Sequence, residues 1–233
     1  MNKKLLIGVG SVIALLVAVI AFLAIKDIRQ ESVLKEEIKK IEKMNVSKDK
    51  IDMKIYTQGD YGVVEKTIKE YLNDYVSTLQ DTQSTMEDKT IINMLGIENY
   101  KTDGPEFKKS LKHIKETKEK LNKNFDKMIA LASEDAVMEA IEKKKVGKKY
   151  VNLYKECMIS NMTKTQFKKA NKEMEQARDI MIKLLDIETE VLNFLKDNKN
   201  HWELKSNTIL FDSTSLLTKY NSYSTKMSVL SLK

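Results

Sequence analysis

The chain has 233 residues, with 41 Lys plus Arg against 34 Asp plus Glu, and only two His, one Cys, one Pro and seven Gly. One Pro and seven Gly supply too few turns for an all-β sandwich or barrel, and a single Cys excludes an internal disulfide framework or a cysteine-rich zinc module. A charged fraction of 32% beside 42% hydrophobic residues is the mixture of long amphipathic helices, so the expected fold class is all-α.

The formal charge of +7 is not a nucleic-acid signal. Arg29 and Arg178 are the only arginines among the 41 basic residues, whereas a nucleic-acid groove draws on Arg for its planar, two-pronged grip on phosphate and guanine. So lopsided a ratio is the mark of an AT-rich bacterial genome. Acids scattered among the lysines give the pattern of solvated helix faces.

The strongest local signal comes first. Met1-Asn2-Lys3-Lys4 precedes Leu5 to Ile25, 21 residues without a charge. At ~1.5 Å per residue a helix of that length spans about 30 Å, the thickness of a bilayer's hydrocarbon core. A cleaved signal peptide has a shorter apolar core and a small-x-small exit. Here Phe22 spoils a cut after Ala24, and a cut after Ala21 falls inside the apolar run. Residues 5–25 are therefore expected to form a retained transmembrane signal anchor in the lipid bilayer, behind a tail at 1–4. Lys26, Arg29, Lys35, Lys39, Lys40 and Lys43 follow the run, and the positive-inside tally places them in the cytoplasm. Against that, large domains translocate despite their charge, and the four-residue tail has little else to hold it inside. The expected location is a bacterial cell membrane, single-pass, with the bulk of the chain extracytoplasmic.

Residues 26–58 read as a charged stalk and linker, with Ile28, Leu34, Ile38, Ile41 and Met44 as a thin stripe fit for a weak coiled coil. Ile51, Met53 and Ile55 then alternate with polar residues, which predicts a short strand or an extended linker. Residues 59–200 read as a bundle of about four long helices. The first runs from Asp60 to Glu87 on the stripe Val64, Ile68, Tyr71, Tyr75, Leu79 and Met86, with a polar gap at Thr82. A connector through Gly96 leads to the second, where Asp103 is the expected N-cap, Pro105 sits in the first turn and Glu106 completes a capping box. Its stripe is Phe107, Leu111, Ile114, Leu121, Phe125 and Met128. Ser133 caps a third segment, Glu134 to Asn161, interrupted by Lys143–Lys149. Thr163 and Gln166 form a capping box for the fourth helix, with Met162 and Phe167 as its hydrophobic staple. Similar lengths and short connections predict antiparallel neighbours in an elongated bundle on the anchor.

The last stretch, 201–233, changes character: from Ser206 onward, 11 of 28 residues are Ser or Thr and only four are charged. Trp202–Leu204 and Thr208–Phe211 flank a Lys-Ser-Asn turn and predict a small hairpin. Leu216, Tyr220, Tyr223, Met227 and Leu230 predict a final helix, and both elements are expected to pack on the bundle.

Chemistry is scarce. There is no nucleophile-elbow, zincin, phosphate-loop or dinucleotide pattern. His113 sits on a Lys-rich helix, and His201 with Asp197 and Glu203 lacks the spacing of a metal site. Cys157 has no His nearby and reads as buried filler. Glu188 and Lys118 occupy positions where strict seven-residue counting predicts apolar side chains. Drift of the buried face onto Ile187 and Leu192 explains them more simply than a buried polar layer. The Lys143–Lys149 run reads first as a solvated face, with contact to anionic envelope polymers or lipid headgroups as the alternative, and the sequons at Asn45 and Asn161 carry no weight in a bacterium. No catalytic, cofactor-binding or metal residue is nominated, and no cofactor.

This plan resembles that of single-pass bacterial proteins holding a helical domain outside the membrane, an architectural likeness that no motif narrows to a family. The expectation is a non-enzymatic, membrane-anchored helical scaffold or binding module of the cell envelope. It has a protein partner or forms a homo-oligomer, does not bind nucleic acid, and works through a helix face or the Trp202–Phe211 region. The alternatives are a cytoplasm-facing scaffold of a division or secretion complex, and a helical sensor signalling through a partner.

Overall fold

The computed structural model describes residues 29–159 and 164–231. The expected anchor at 5–25 lies outside them, as do Asn161, Met162 and Thr163. Among the described residues no helix is long and apolar enough to cross a membrane. The chain is a mostly helical bundle with one small antiparallel sheet: α1 (Arg29–Glu42), α2 (Gly59–Met86), α3 (Lys89–Ile92), α4 (Ile97–Asp103), α5 (Lys108–Leu131), α6 (Glu134–Glu142), α7 (Lys148–Ile159), α8 (Lys164–Asp197), β1 (Trp202–Lys205), β2 (Thr208–Phe211) and α9 (Thr214–Ser231). It divides into two compact units. The α1 unit holds residues 29–83 and 124–175, and the hairpin unit holds 84–123 and 176–231, so α2, α5 and α8 each contribute to both.

In the α1 unit, Leu34, Ile38 and Ile41 share one apolar core with Val64, Ile68 and Tyr154. Those three α1 side chains are almost fully buried, so α1 is part of a folded core and not a free-standing stalk. The segment after it is the extended linker of the two outcomes expected, with no strand. The physical reason is local. The amides of Tyr56 and Thr57 donate to the Glu65 carboxylate of α2, at 3.0 and 2.8 Å to Oε2, and need no neighbouring strand. The polar gap at Thr82 is also resolved: Thr82 is fully buried, and its hydroxyl donates back to the Thr78 carbonyl at 2.8 Å. The lysine run breaks the third segment as expected, giving α6 and α7, and the Ser133 side chain accepts the Ala136 N–H at 3.2 Å as the N-cap of α6.

In the hairpin unit the entry to α5 differs from expectation. Asp103 ends α4, Pro105 precedes the helix, and α5 begins only at Lys108. Asp103 nevertheless caps α5 from the far side of the bend, its carboxylate accepting the amides of Lys109 at 3.2 Å and Ser110 at 2.7 Å. Glu106 makes no capping box but pairs with Lys199 at 2.7 Å. The bend puts Phe107 at φ +50°, a left-handed conformation costing about 1–2 kcal/mol for a residue with a Cβ. Full burial of the phenyl ring offsets it, since Phe107 is 0% exposed and stacks 6.2 Å from Trp202, and burying such a side chain is worth about 1.5–3 kcal/mol.

The predicted hairpin forms, with Trp202 opposite Phe211 and Lys205 opposite Thr208. Ser206 and Asn207 both take positive φ, +50° and +61°, as a two-residue turn matched to strand twist requires. The predicted face of α9 is the one turned inward: Tyr223 is buried, and Leu216, Tyr220, Met227 and Leu230 are half-buried. Tyr223 lies 5.9 Å from Phe194, and Tyr220 lies 5.4 Å from Phe211.

Candidate functional site

The candidate site is a cavity of about 380 Å³ inside the hairpin unit. Five elements supply its walls: the end of α2, α3 with the turn that follows, α5, α8 and α9. Each is fixed by its own sequence. Asp88 caps α3 by accepting the Thr90 amide at 2.7 Å. Asn93 ends α3, and its side chain donates to the Lys89 carbonyl at 2.8 Å. Asn99 then ties the turn to the entry of α5, donating to the Met94 carbonyl at 2.7 Å and lying 3.0 Å from the Ser110 hydroxyl.

The lining is apolar over most of its area, with Met86, Leu95, Leu121, Met181 and Leu184 prominent, and Thr85, Asn93 and Thr117 supply neutral polar atoms. Among the described lining residues Glu188 is the single ionisable side chain. Its Oε2 is buried and has no hydrogen-bond partner among the described residues. Burial pushes its carboxyl up to about 7. A cavity of this size, apolar with a few placed polar groups and one perturbed carboxyl, has the make-up of a small-molecule site.

Sequence reasoning singled out Glu188 but explained it as drift. The drift is real, because Leu185, Ile187 and Leu192 are buried around it, yet it does not carry Glu188 to the surface. Lys118 is not its partner and pairs with Asp186 instead. Short helices α3 and α4 were beyond sequence reasoning, being four and seven residues long, too short for an apolar period to show.

A second polar cluster, buried in the α1 unit, was missed. Lys69 is 1% exposed, and its Nζ lies 2.8 Å from Glu37 Oε2, 2.8 Å from Glu65 Oε1 and 2.6 Å from the Lys54 carbonyl. Burial opposes ionisation of Glu65, but hydrogen bonds from Lys69, Thr57 and Tyr56 outweigh it and hold its carboxyl below the ordinary range. Glu37 is lowered in the same way, burial being overcome by Lys40 and Lys69. Burial also works against the Lys69 cation, and the two carboxylates prevail and raise it. Every charge here has its partners, which makes the cluster a structural lock and not a site awaiting a ligand.

The other residues weighed from the sequence lie away from the cavity lining. His201 sits 2.9 Å from Asp212 across the hairpin, and no metal-binding group of three or more His, Cys, Asp or Glu, such as His201 with Asp197 and Glu203, occurs among the described residues. His113 lies 3.2 Å from Asp88. Cys157 is half-buried and its thiol is pushed up to about 12 by burial. In the lysine run, Lys143 pairs with Glu139, Lys144 with Glu70, and Lys149 reaches the Tyr61 hydroxyl at 3.1 Å. The Trp202–Phe211 region turns its largest rings inward, and Trp202 donates to the Leu195 carbonyl at 2.7 Å.

No protein-family model matches the chain, and neither does any curated protein or solved structure.

Proposed function

We propose that the chain is a non-enzymatic, membrane-anchored helical binding module or scaffold of a bacterial cell envelope. Residues 5–25 form a single-pass signal anchor, and the helices carry an elongated antiparallel bundle on its extracytoplasmic side. The observation that carries this reading is the run from Leu5 to Ile25, 21 residues without a charge and long enough for the hydrocarbon core. The cavity gives such a module a place to hold a ligand, its described lining setting one carboxyl among largely apolar walls.

The test is topological. Asn200 is exposed, so Asn200→Cys in a Cys157→Ser background presents one accessible thiol. Intact cells are treated with a membrane-impermeant maleimide, and membranes are washed with alkaline carbonate. Retention in the washed membrane with labelling before lysis is the expected result. Labelling only after lysis supports the cytoplasm-facing scaffold instead, and release by carbonate overturns the membrane reading.

A further inference from the structure

We infer that the cavity of the hairpin unit is a binding site for a small amphiphile with an apolar body and one ammonium group, the ammonium meeting Glu188. The inference gives a ligand class to the binding-module reading above and rests on it only for the idea that binding is the function.

Three observations carry it. The first is size: about 380 Å³ lies within a single compact unit, in the range of about 300–1,000 Å³ typical of ligand pockets. The second is the wall. Met86 and Met181 are 4% and 3% exposed, and Leu121 and Leu185 are 2% and 5% exposed, so core side chains form much of the wall, while Ile92, 45% exposed, stands at its solvent side. Methionines give such a wall adaptability, because an unbranched thioether refits around ligands of differing shape.

The third observation is Glu188. Its Oε2 is shut off from solvent and finds no donor among the described residues. A buried carboxylate left without a donor is costly, and a ligand that supplies one recovers that cost as affinity. The sign of the recognised charge follows from the lining, which holds a carboxylate and, among the described residues, no Lys, Arg or His. Above pH 7, where Glu188 is ionised, an anionic amphiphile such as a fatty acid meets like charge there, whereas an ammonium supplies both the countercharge and the missing N–H donors. A neutral alcohol satisfies the apolar wall but forgoes the charge. Charge-assisted hydrogen bonds are worth about 1.5–3 kcal/mol, so the ammonium should bind about tenfold or more tighter than its alcohol counterpart.

The probe is n-octylammonium, with 1-octanol and octanoate as its neutral and anionic counterparts. Each is titrated calorimetrically at about pH 8, on the ionised side of Glu188, into the full-length chain reconstituted in phosphatidylcholine nanodiscs, with empty nanodiscs as the reference for lipid partitioning. The expected result is one saturable site for octylammonium, about tenfold or more tighter than for octanol, with octanoate weakest. Glu188→Gln should bring octylammonium down to the affinity of octanol while leaving octanol unchanged. Leu184→Trp, which fills the cavity, should abolish saturable binding of all three, with far-ultraviolet circular dichroism checking that the helices remain.

Octylammonium binding unchanged by Glu188→Gln overturns the inference, since the charge is then not read. Binding unchanged by Leu184→Trp overturns it too, since the ligand then sits elsewhere. Equal affinity for the three probes, or no saturable binding by any, does the same. Any of these outcomes alongside carbonate-resistant membrane retention leaves the anchored reading standing and removes only the ligand.

Discussion

Replacing Lys69 by Met is the sharpest test of how the α1 unit holds together. The substitution keeps the length and apolar stem of the side chain and deletes one charge from a cluster in which Lys69, Glu65 and Glu37 are 1%, 1% and 6% exposed at the side chain. The two carboxylates then lose their shared cation, Glu37 keeping only Lys40 and Glu65 only its Thr57 and Tyr56 donors, and α1 loses its buried ionic tie to α2, since Glu37 comes from one and Glu65 from the other. Removing one partner of a buried ion pair costs about 3–5 kcal/mol, and with two carboxylates affected the upper part of that range is expected at pH 7. Domains are stable by only about 5–15 kcal/mol, so the variant should open α1 readily.

Hydrogen exchange of the full-length chain in nanodiscs, resolved by peptide, is the assay. Amides of α1 and of residues 51–57 should exchange about a thousandfold faster in Lys69→Met than in the wild type. The pH dependence checks the cause. In the wild type Glu37 and Glu65 are held below 4.5, their ordinary value, and Lys69 above 10.5. The cluster's stabilisation is therefore full between those limits, falling away only as pH drops through the lowered carboxyls or rises through the raised lysine. In the variant the carboxyls lose the cation, burial raises them, and the deficit should shrink as pH falls toward 4 and they take up protons. Adding Glu37→Gln and Glu65→Gln should restore protection to within about 2 kcal/mol, because no uncompensated charge remains. A deficit under about 1 kcal/mol at pH 7, or one that does not change with pH, would refute the argument that buried charge balance ties α1 down.

Three other outcomes are expected. Gly104→Ala places a Cβ 2.3 Å from the Tyr100 carbonyl oxygen and 3.2 Å from the Phe107 ring, so it should lower thermal stability by about 1–3 kcal/mol; an unchanged melting temperature counts against the bend as described. Glu188→Leu should stabilise the hairpin unit above pH 7 by about 1–3 kcal/mol. The sign follows from the raised carboxyl: the folded chain keeps a proton, up to about 7, that the unfolded chain releases near the ordinary 4.5. The stability contributed by Glu188 is therefore full below 4.5 and is lost as pH rises through 7, a slope that Glu188→Leu should remove in melts from pH 5 to 8. Cys157, whose thiol sits near 12 and is half-buried, should react with maleimide at pH 7.5 far more slowly in the native chain than in urea, and equal rates would contradict its burial.

The long elements were legible because their periods are long. Val64, Ile68, Tyr75 and Leu79 on α2, or Leu216, Tyr220 and Tyr223 on α9, repeat often enough for the inward face to be read directly. The hairpin was legible for a different reason, since Ser206 and Asn207 interrupt two runs of strand formers by two residues. The entry to α5 misled because Asp103, Pro105 and Glu106 stand at capping intervals, while the burial of Phe107, which decides the bend, depends on Trp202 almost a hundred residues away. The buried cluster was hidden by degeneracy. Glu65 and Lys69 are four apart, and so are Lys66 and Glu70, one residue along. The first pair is 1% exposed at both side chains and the second is 60% and 42% exposed. Spacing along a helix reports that two charges can meet and not on which face they do so.

Two buried glutamates show what separates structure from function in such a chain. Glu65 is removed from water and remains easy to ionise, because Lys69, Thr57 and Tyr56 together saturate its oxygens. Glu188 resists ionisation because burial disfavours its charge, and its Oε2 finds no donor among the described residues to offset that. The same side chain is shifted in opposite directions, so burial alone does not distinguish a lock from a site. The distinguishing property is an unmet hydrogen-bonding demand that opens onto a space large enough to admit the group that would meet it. Glu188 combines the two, and that combination singles out the hairpin unit's cavity over the lysine run, the histidines and the cysteine as the place to look for a ligand.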